Sequence, residues 1–279
     1  MAFLSNAHTH STWCDGANPI CVMLEEAKKL GFVSLGFSGH AAQGFDFTYP
    51  MTPEEQEGYC AEIRSLQKIT VTPRIWLGME VDVMGHADKI ETARSQIDYM
   101  LGSSHYLFGE TPEDWAAVDG PMERLKSLME RVYRNDGIAA ARKYYQTAAE
   151  AMLREKPDII GHFDLIRKYA GRLGYFDEND PAYRKIAREA LEKIFPAGSV
   201  LEVNTGGMAR NYLPTPYPTL ELLCVWRELG GKVTITSDCH NASLLTCAFD
   251  LAEKLIREAG FRSVMRLGAG DALWDEIEL

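Results

Sequence analysis

Seven short runs of apolar, β-branched or aromatic residues constrain this chain most, because each is followed closely by a polar residue. They cover residues 2–6, 33–37, 74–78, 97–102, 157–161, 200–204 and 232–236, with amphipathic helical patterns between most of them. In the first connection Val22, Leu24, Ala27 and Leu30 fall near helical spacing, and Gly31 supplies a stop signal. Residues 53–69 repeat the pattern with Thr52 as the expected N-cap, and residues 244–259 repeat it before Gly260. Strands alternating with helices at this spacing imply parallel pairing through right-handed crossovers. The expected fold class is α/β, a closed or nearly closed β/α barrel, with an open doubly wound sheet as the rival. The stretch 106–155 is too long for a simple crossover. Its two helical patterns, 122–133 and 138–154, predict a helical elaboration between strands 4 and 5, over the barrel mouth. No linker, repeat or low-complexity tract divides the chain, so residues 1–279 are expected to form a single domain.

The histidines follow the same runs. After the first comes His8-Thr9-His10, with Asp15 five residues on; after the second, Gly39-His40; the third leads into Glu80 and Asp82. Ser104-His105, Gly161-His162-Phe163-Asp164 and Asp238-Cys239-His240 follow the fourth, fifth and seventh. Six of the seven histidines thus stand at the C-terminal ends of expected strands, which in parallel β/α folds converge on the active-site face. Side chains at i and i+2 of an extended chain point the same way, so His8 with His10, and Asp238 with His240, each form a two-pronged unit. One strand-end histidine is more often a hydrogen-bonded structural residue than a ligand; six, two of them in an HxH and one in a DxH, reverse that balance. The six imidazoles with Asp15, Glu80 and Asp238 make nine groups, which exceed the needs of one ion and suit two or three, with Glu80 as a natural bridge. Nitrogen and oxygen donors favour zinc, manganese or iron over a thiolate-selected metal. His86 follows no strand end cleanly and is left out of the set.

Composition narrows the partners. With 40 acidic and 29 basic residues the formal net charge is −11, which argues against non-specific binding of nucleic acid or of an anionic membrane. A small anionic substrate stays open, because a local cluster of cations inverts the sign. The 46% hydrophobic content excludes disorder as a description of the whole. The opening MAFLSNAHTHS lacks a basic n-region, and no apolar run approaches the roughly 18 residues of a membrane span, so a soluble cytoplasmic protein is expected. The six cysteines form no CxxC pair and read as reduced thiols, mostly core filler. No organic cofactor is expected, and oligomeric state leaves no signal in the pattern.

In these motifs the sequence resembles the polymerase-and-histidinol-phosphatase (PHP) superfamily, most closely its histidinol-phosphate phosphatase branch. The resemblance rests on His8-Thr9-His10-Ser11 with Asp15-Gly16, Gly39-His40, Gly78-Met79-Glu80, Ser103-Ser104-His105, Gly161-His162-Phe163-Asp164 and Ser237-Asp238-Cys239-His240, in the family's order. It implies a distorted (β/α)7 barrel with a trinuclear metal centre. His8, His10, Glu80 and Asp238 would hold the first ion, Glu80, His105 and His162 the second, and Asp15, His40 and His240 the third. The branch is suggested by the segments 161–169 and 202–210, whose counterparts supply phosphate-gripping arginines; here these are Arg167 and Arg210. Asn6 and Gly39 depart from the family's usual residues at positions that are not expected ligands.

The implied activity is hydrolysis of a phosphate monoester, L-histidinol phosphate, by a metal-bridging hydroxide, within histidine biosynthesis. The alternative is a PHP-type phosphoesterase for another small ester, such as a nucleotide or sugar phosphate. A non-catalytic metal-binding module is disfavoured by the intact nine-residue set, and a nuclease role by the acidic balance. Glu80, Asp238 and His240 are the catalytic candidates, the last two nearest by motif to a leaving-group proton. Trp13, Phe45, Tyr106, Phe163 and Tyr212 are candidate walls for the alcohol. Asp82 and Asp164 are candidates to meet a substrate ammonium or to orient a ligating histidine.

Overall fold

The structure, a computed structural model, describes residues 4–84, 93–111, 114–169 and 171–279. His86 lies outside the described residues. All seven expected strands form: β1 (Ser5–Asn6), β2 (Ser34–Phe37), β3 (Arg74–Asp82), β4 (Tyr99–Ser103), then β7 (Ile159–Ile160), β8 (Val200–Asn204) and β9 (Lys232–Thr236). They pair in parallel in that order, as crossover connections require. Two strands absent from the sequence reading extend the sheet. β10 (Ser263–Leu267) runs parallel to β9, and β11 (Trp274–Glu278) returns antiparallel beside it.

The sheet curls into a distorted α/β barrel. At one end the Ser34 hydroxyl donates to the Leu267 carbonyl, tying β10 to β2. At the other, beyond the strand ends, Thr9 bridges Cys239: the His10 N–H donates to the Cys239 carbonyl and the Cys239 N–H to the His8 carbonyl. The HxH and DxH segments are therefore joined backbone to backbone, and this seam carries ligands from both ends of the sequence.

Helices α1 (Ile20–Leu30) and α2 (Pro53–Ile69) follow β1 and β2. Thr52 caps α2 as expected, in a reciprocal box with Glu55. In α1 the buried residues are Ile20, Met23, Leu24 and Ala27, whereas Val22 and Leu30 are exposed, so the apolar face lies to one side of the one anticipated. The elaboration between β4 and β7 holds α3 (Met122–Arg131) and α4 (Gly137–Glu155), and it also contains an antiparallel ribbon of β5 (Tyr106–Phe108) and β6 (Trp115–Ala117) that the sequence did not signal. The chain continues through α5 (Pro181–Ile194), the single turn α6 (Gly206–Ala209), α7 (Leu220–Glu228) and α8 (Phe249–Glu258), the last starting later than expected because 242–244 is a separate 3-10 turn. Among the described residues no helix is long and apolar enough to cross a membrane. All six cysteines are free.

Candidate metal centre

The nine expected ligands meet at the C-terminal end of the barrel. Glu80 lies within β3, and the others follow strands: His8, His10 and Asp15 after β1, His40 after β2, His105 after β4, His162 after β7, Asp238 and His240 after β9. They form four overlapping groups whose ligand atoms lie within 4.8 Å of one another: His10, Asp15, His40, His240; His8, His10, Asp238; His8, Glu80, His162; and His40, Glu80, His105. Asp238 reaches its place through a left-handed backbone, φ 46°, which a non-glycine residue adopts at a cost that the surrounding contacts must offset. Gly206 makes room beside it: a Cβ there would stand 2.8 Å from the Asp238 side chain.

Glu80 is 2% exposed and sits at the centre. Its oxygens lie 3.1 Å from His8 Nε2, 3.3 Å from His10 Nε2, 3.1 Å from His40 Nδ1, 3.2 Å from His105 Nε2 and 3.0 Å from His162 Nε2. The Ser103 hydroxyl also donates to it at 2.5 Å. A carboxylate has about four acceptor sites, so it cannot satisfy six donors. His10 Nε2 is accordingly buried without a hydrogen-bond partner. Imidazole lone pairs directed at carboxylate oxygens repel unless positive charge lies between them. Donor set, crowding and the orphaned nitrogen therefore all fit divalent cations.

The electrostatics agree. Burial pulls the His8 pKa down, but Glu202, Glu80 and Asp238 outweigh it and push it up to about 10. His10 and His105 also end well above the usual imidazole value against the pull of burial, held there by neighbouring carboxylates and hydrogen bonds. Burial works to raise Glu80 and Asp238, yet facing imidazoles, and for Asp238 first of all Arg210, keep both well below the usual carboxylate range. His40 differs: desolvation dominates and lowers it to about 3. Without metal, protons take the place of cations.

A pH dependence follows from these signs. Imidazoles raised on folding contribute stability that is complete below about pH 6.5 and is lost as pH rises toward their folded values, near 10 for His8. Each imidazole that stays protonated costs about 1.4 kcal/mol per pH unit over that interval. The depressed carboxylates act oppositely, their contribution being lost as the solution is acidified through their folded values. Denaturant titrations in chelator should show stability falling from pH 6.5 to 9, and a metal supplement should abolish the fall. A metal-free protein that gains stability over that range would contradict this electrostatic picture.

The cavity above the cluster measures about 330 Å³. Arg210 lines it, its Nη2 2.8 Å from Asp238 Oδ2 and its Nη1 3.0 Å from His240 Nδ1. Arg167, expected from the sequence at the phosphate, is not among the lining residues. It is buried away from the cavity, its Nη1 3.1 Å from Asp164 and its Nε 2.6 Å from Glu178. The neighbouring Lys168 lines the cavity instead, with Nζ 3.4 Å from Asp119 and 4.4 Å from the Tyr212 ring centre. Residues 165–168 form a 3-10 turn, in which successive side chains point about 120° apart.

Of the five candidate aromatic walls only Tyr212 lines the cavity; Tyr49, Asp46 and Asp119, which the sequence did not single out, join it. Trp13 donates to Glu62, Phe45 packs against Tyr106 and Trp115, Tyr106 donates to Asp46, and Phe163 is in the core. Asp82 accepts from the His105 N–H, whereas Asp164 accepts from Arg167 and from the Thr219 N–H. Glu202, within β8, lies against His8 and was missed as a site residue. Its signal was an acid between the apolar Leu201 and Val203 in the middle of a strand.

Residues 6–206 match the family model described as the PHP domain. A Deinococcus radiodurans protein named "Probable histidinol-phosphatase" is 30% identical over 271 residues, spanning 95% of this chain and 96% of its own length. A solved chain from Listeria monocytogenes superposes with a TM-score of 0.75 at 19% identity, covering 88% of this chain and 99% of that one. Histidinol phosphate phosphatase from Lactococcus lactis, solved with zinc, L-histidinol and phosphate, superposes with a TM-score of 0.67 at 21% identity, covering 95% and 97%. At these identities the two solved structures establish the fold.

Proposed function

The chain belongs to the PHP domain family, and from that premise we propose that it is a metal-dependent phosphomonoesterase, acting in the cytoplasm, that cleaves L-histidinol phosphate to L-histidinol and phosphate. The observation that carries this reading is a single cavity of about 330 Å³ with the imidazole–carboxylate cluster on its floor and Lys168 and Arg210 on its wall. That volume suits a small molecule. The zinc, L-histidinol and phosphate of the Lactococcus lactis enzyme support the same assignment.

We assign two to three divalent ions, zinc, manganese or iron, to His8, His10, Glu80 and Asp238, to Glu80, His105 and His162, and to Asp15, His40 and His240. When bound, such ions neutralise phosphate oxygens and lower the pKa of water so that it attacks near neutral pH. Glu80 gathers the imidazoles around one carboxylate. Asp238, through Arg210 Nη2, anchors a guanidinium at the edge of the cluster, where it grips the phosphate by charge-assisted hydrogen bonds. Lys168, steadied over Tyr212, adds a second positive charge.

The rest of the lining is acidic and phenolic: Asp46, Tyr49 and Tyr212, with Asp119 paired to Lys168. A substrate ammonium finds carboxylates there and gains a charge-assisted hydrogen bond, stronger than the neutral one a sugar hydroxyl makes. This favours an amino alcohol over the alternative, a nucleotide or sugar phosphate. The test is phosphate release from histidinol phosphate beside a panel of nucleotides and sugar phosphates, with bound metal counted per chain. Two or more ions, activity lost in chelator, and the highest kcat/KM for histidinol phosphate are expected. Preference for another panel member would remove the substrate, and fewer than two ions under replete conditions would remove the multinuclear centre.

A further inference from the structure

Among the first seven parallel strands β8 is the one that contributes no residue to the ligand set, yet it carries a fully buried acid, Glu202. A carboxylate taken out of water costs several kcal/mol unless its oxygens are well partnered. Those of Glu202 are saturated. Oε2 accepts from the His162 backbone N–H at 2.6 Å and from Asn204 Nδ2 at 3.1 Å. Oε1 accepts from the Thr236 hydroxyl at 2.5 Å and lies 2.6 Å from His8 Nδ1. The Asn204 amide cannot turn round, because its oxygen accepts from the Gly206 N–H at 2.7 Å. With donors on every side the group is an acceptor-only carboxylate, so His8 Nδ1 must carry a proton: a lone pair at 2.6 Å from a carboxylate oxygen would repel it.

We propose that Glu202 is the positioning residue of the metal centre, locking His8 in the Nδ1–H tautomer and pinning the His162 backbone so that both rings present Nε2 toward Glu80. The inference rests on reading the cluster as a metal centre. His8 Nε2 lies 3.1 Å from Glu80 and 3.5 Å from Asp238, and His162 Nε2 lies 3.0 Å from Glu80. One carboxylate on a strand without ligands thus orients ligands from β1 and β7 at once. Because it acts behind the imidazoles, its effect falls on metal affinity before substrate binding.

Two measurements test this without recourse to turnover. Zinc affinity of the metal-free protein, measured by chelator competition, should fall about ten- to a hundredfold in Glu202→Gln. Glutamine puts an amide donor where only acceptors fit, so it disturbs either His8 or the His162 N–H. Histidine nitrogen NMR on the zinc-loaded unsubstituted protein should show His8 protonated at Nδ1 and not at Nε2. Zinc affinity in Glu202→Gln equal to that of the unsubstituted protein, or an Nε2–H signal from His8, overturns the role of Glu202. If Glu202→Gln does not fold, the NMR result decides alone. An unsubstituted chain that binds no zinc would overturn the metal-centre reading itself, a different result from unchanged affinity in the variant.

Discussion

Glutamine in place of Glu80 should lower kcat/KM for phosphate-ester hydrolysis by at least about a thousandfold, which is about 4 kcal/mol of lost transition-state stabilisation. The size follows from position. Five imidazoles stand 3.0 to 3.3 Å from its two oxygens, and both are buried with them. Glutamine keeps the volume but removes the negative charge and turns one acceptor into a donor, which then faces ring nitrogens that are themselves donors or metal ligands. Two of the three proposed ion sites use this residue, so stoichiometry should fall with activity. Steady-state kinetics with elemental analysis of the purified variant would measure both. A variant with its full metal complement and kcat/KM within tenfold of the unsubstituted chain would sink the central role given to Glu80.

Alanine at Arg210 should cost about a hundred- to a thousandfold in kcat/KM, the range found when one preorganised donor to a developing oxyanion is removed. Its guanidinium is held by Asp238 and His240 and reaches the cavity, so its loss removes a charge aimed at the phosphate. Arg167→Met is the informative contrast. Arg167 is paired with Asp164, both side chains nearly sealed from solvent. Its removal should leave kcat/KM close to normal while destabilising the fold by about 3–5 kcal/mol, the cost of a buried carboxylate left without its partner. Kinetics and denaturant midpoints on the two variants separate the roles. Equal kinetic losses in both would return Arg167 to the phosphate site.

These two arginines also mark how far the chain can be read without coordinates. Arg210 was indicated by the resemblance of segment 202–210, and the structure places it in the cavity lining beside Asp238. Arg167 and Lys168 are adjacent in sequence, on one 3-10 turn, and nothing in the local pattern says which of two neighbouring cations faces the cavity. Packing chose: Asp164 and Glu178 take the arginine and the cavity takes the lysine. The α1 face was misjudged for a related reason. Ile20, Met23, Leu24 and Ala27 and the anticipated Val22, Leu24, Ala27 and Leu30 are both near-helical sets, and only the neighbouring elements select between them. β10 and β11 carry Arg266, Asp275, Glu276 and Glu278 among their apolar residues, which masks them in the sequence; in β11 the charges suit a strand at the edge of the sheet.

What the sequence determined by itself was the parallel α/β order of the strands and, with it, the convergence of the ligand-bearing positions on one face. Most of the expected ligands stand at or just past strand ends, so chain order brings them to one face, whereas Asp15, in a turn, and Asp238, with φ 46°, are directed by the fold. Tertiary structure decided everything that depends on a choice between directions: Lys168 over Arg167 at the cavity, Asp46, Asp119 and Tyr49 as its wall, and Glu202 behind His8. The reason is physical. Long side chains on turns, and acids within apolar strands, are placed by the partners that satisfy their charge, and those partners lie as far as 194 residues away in the chain.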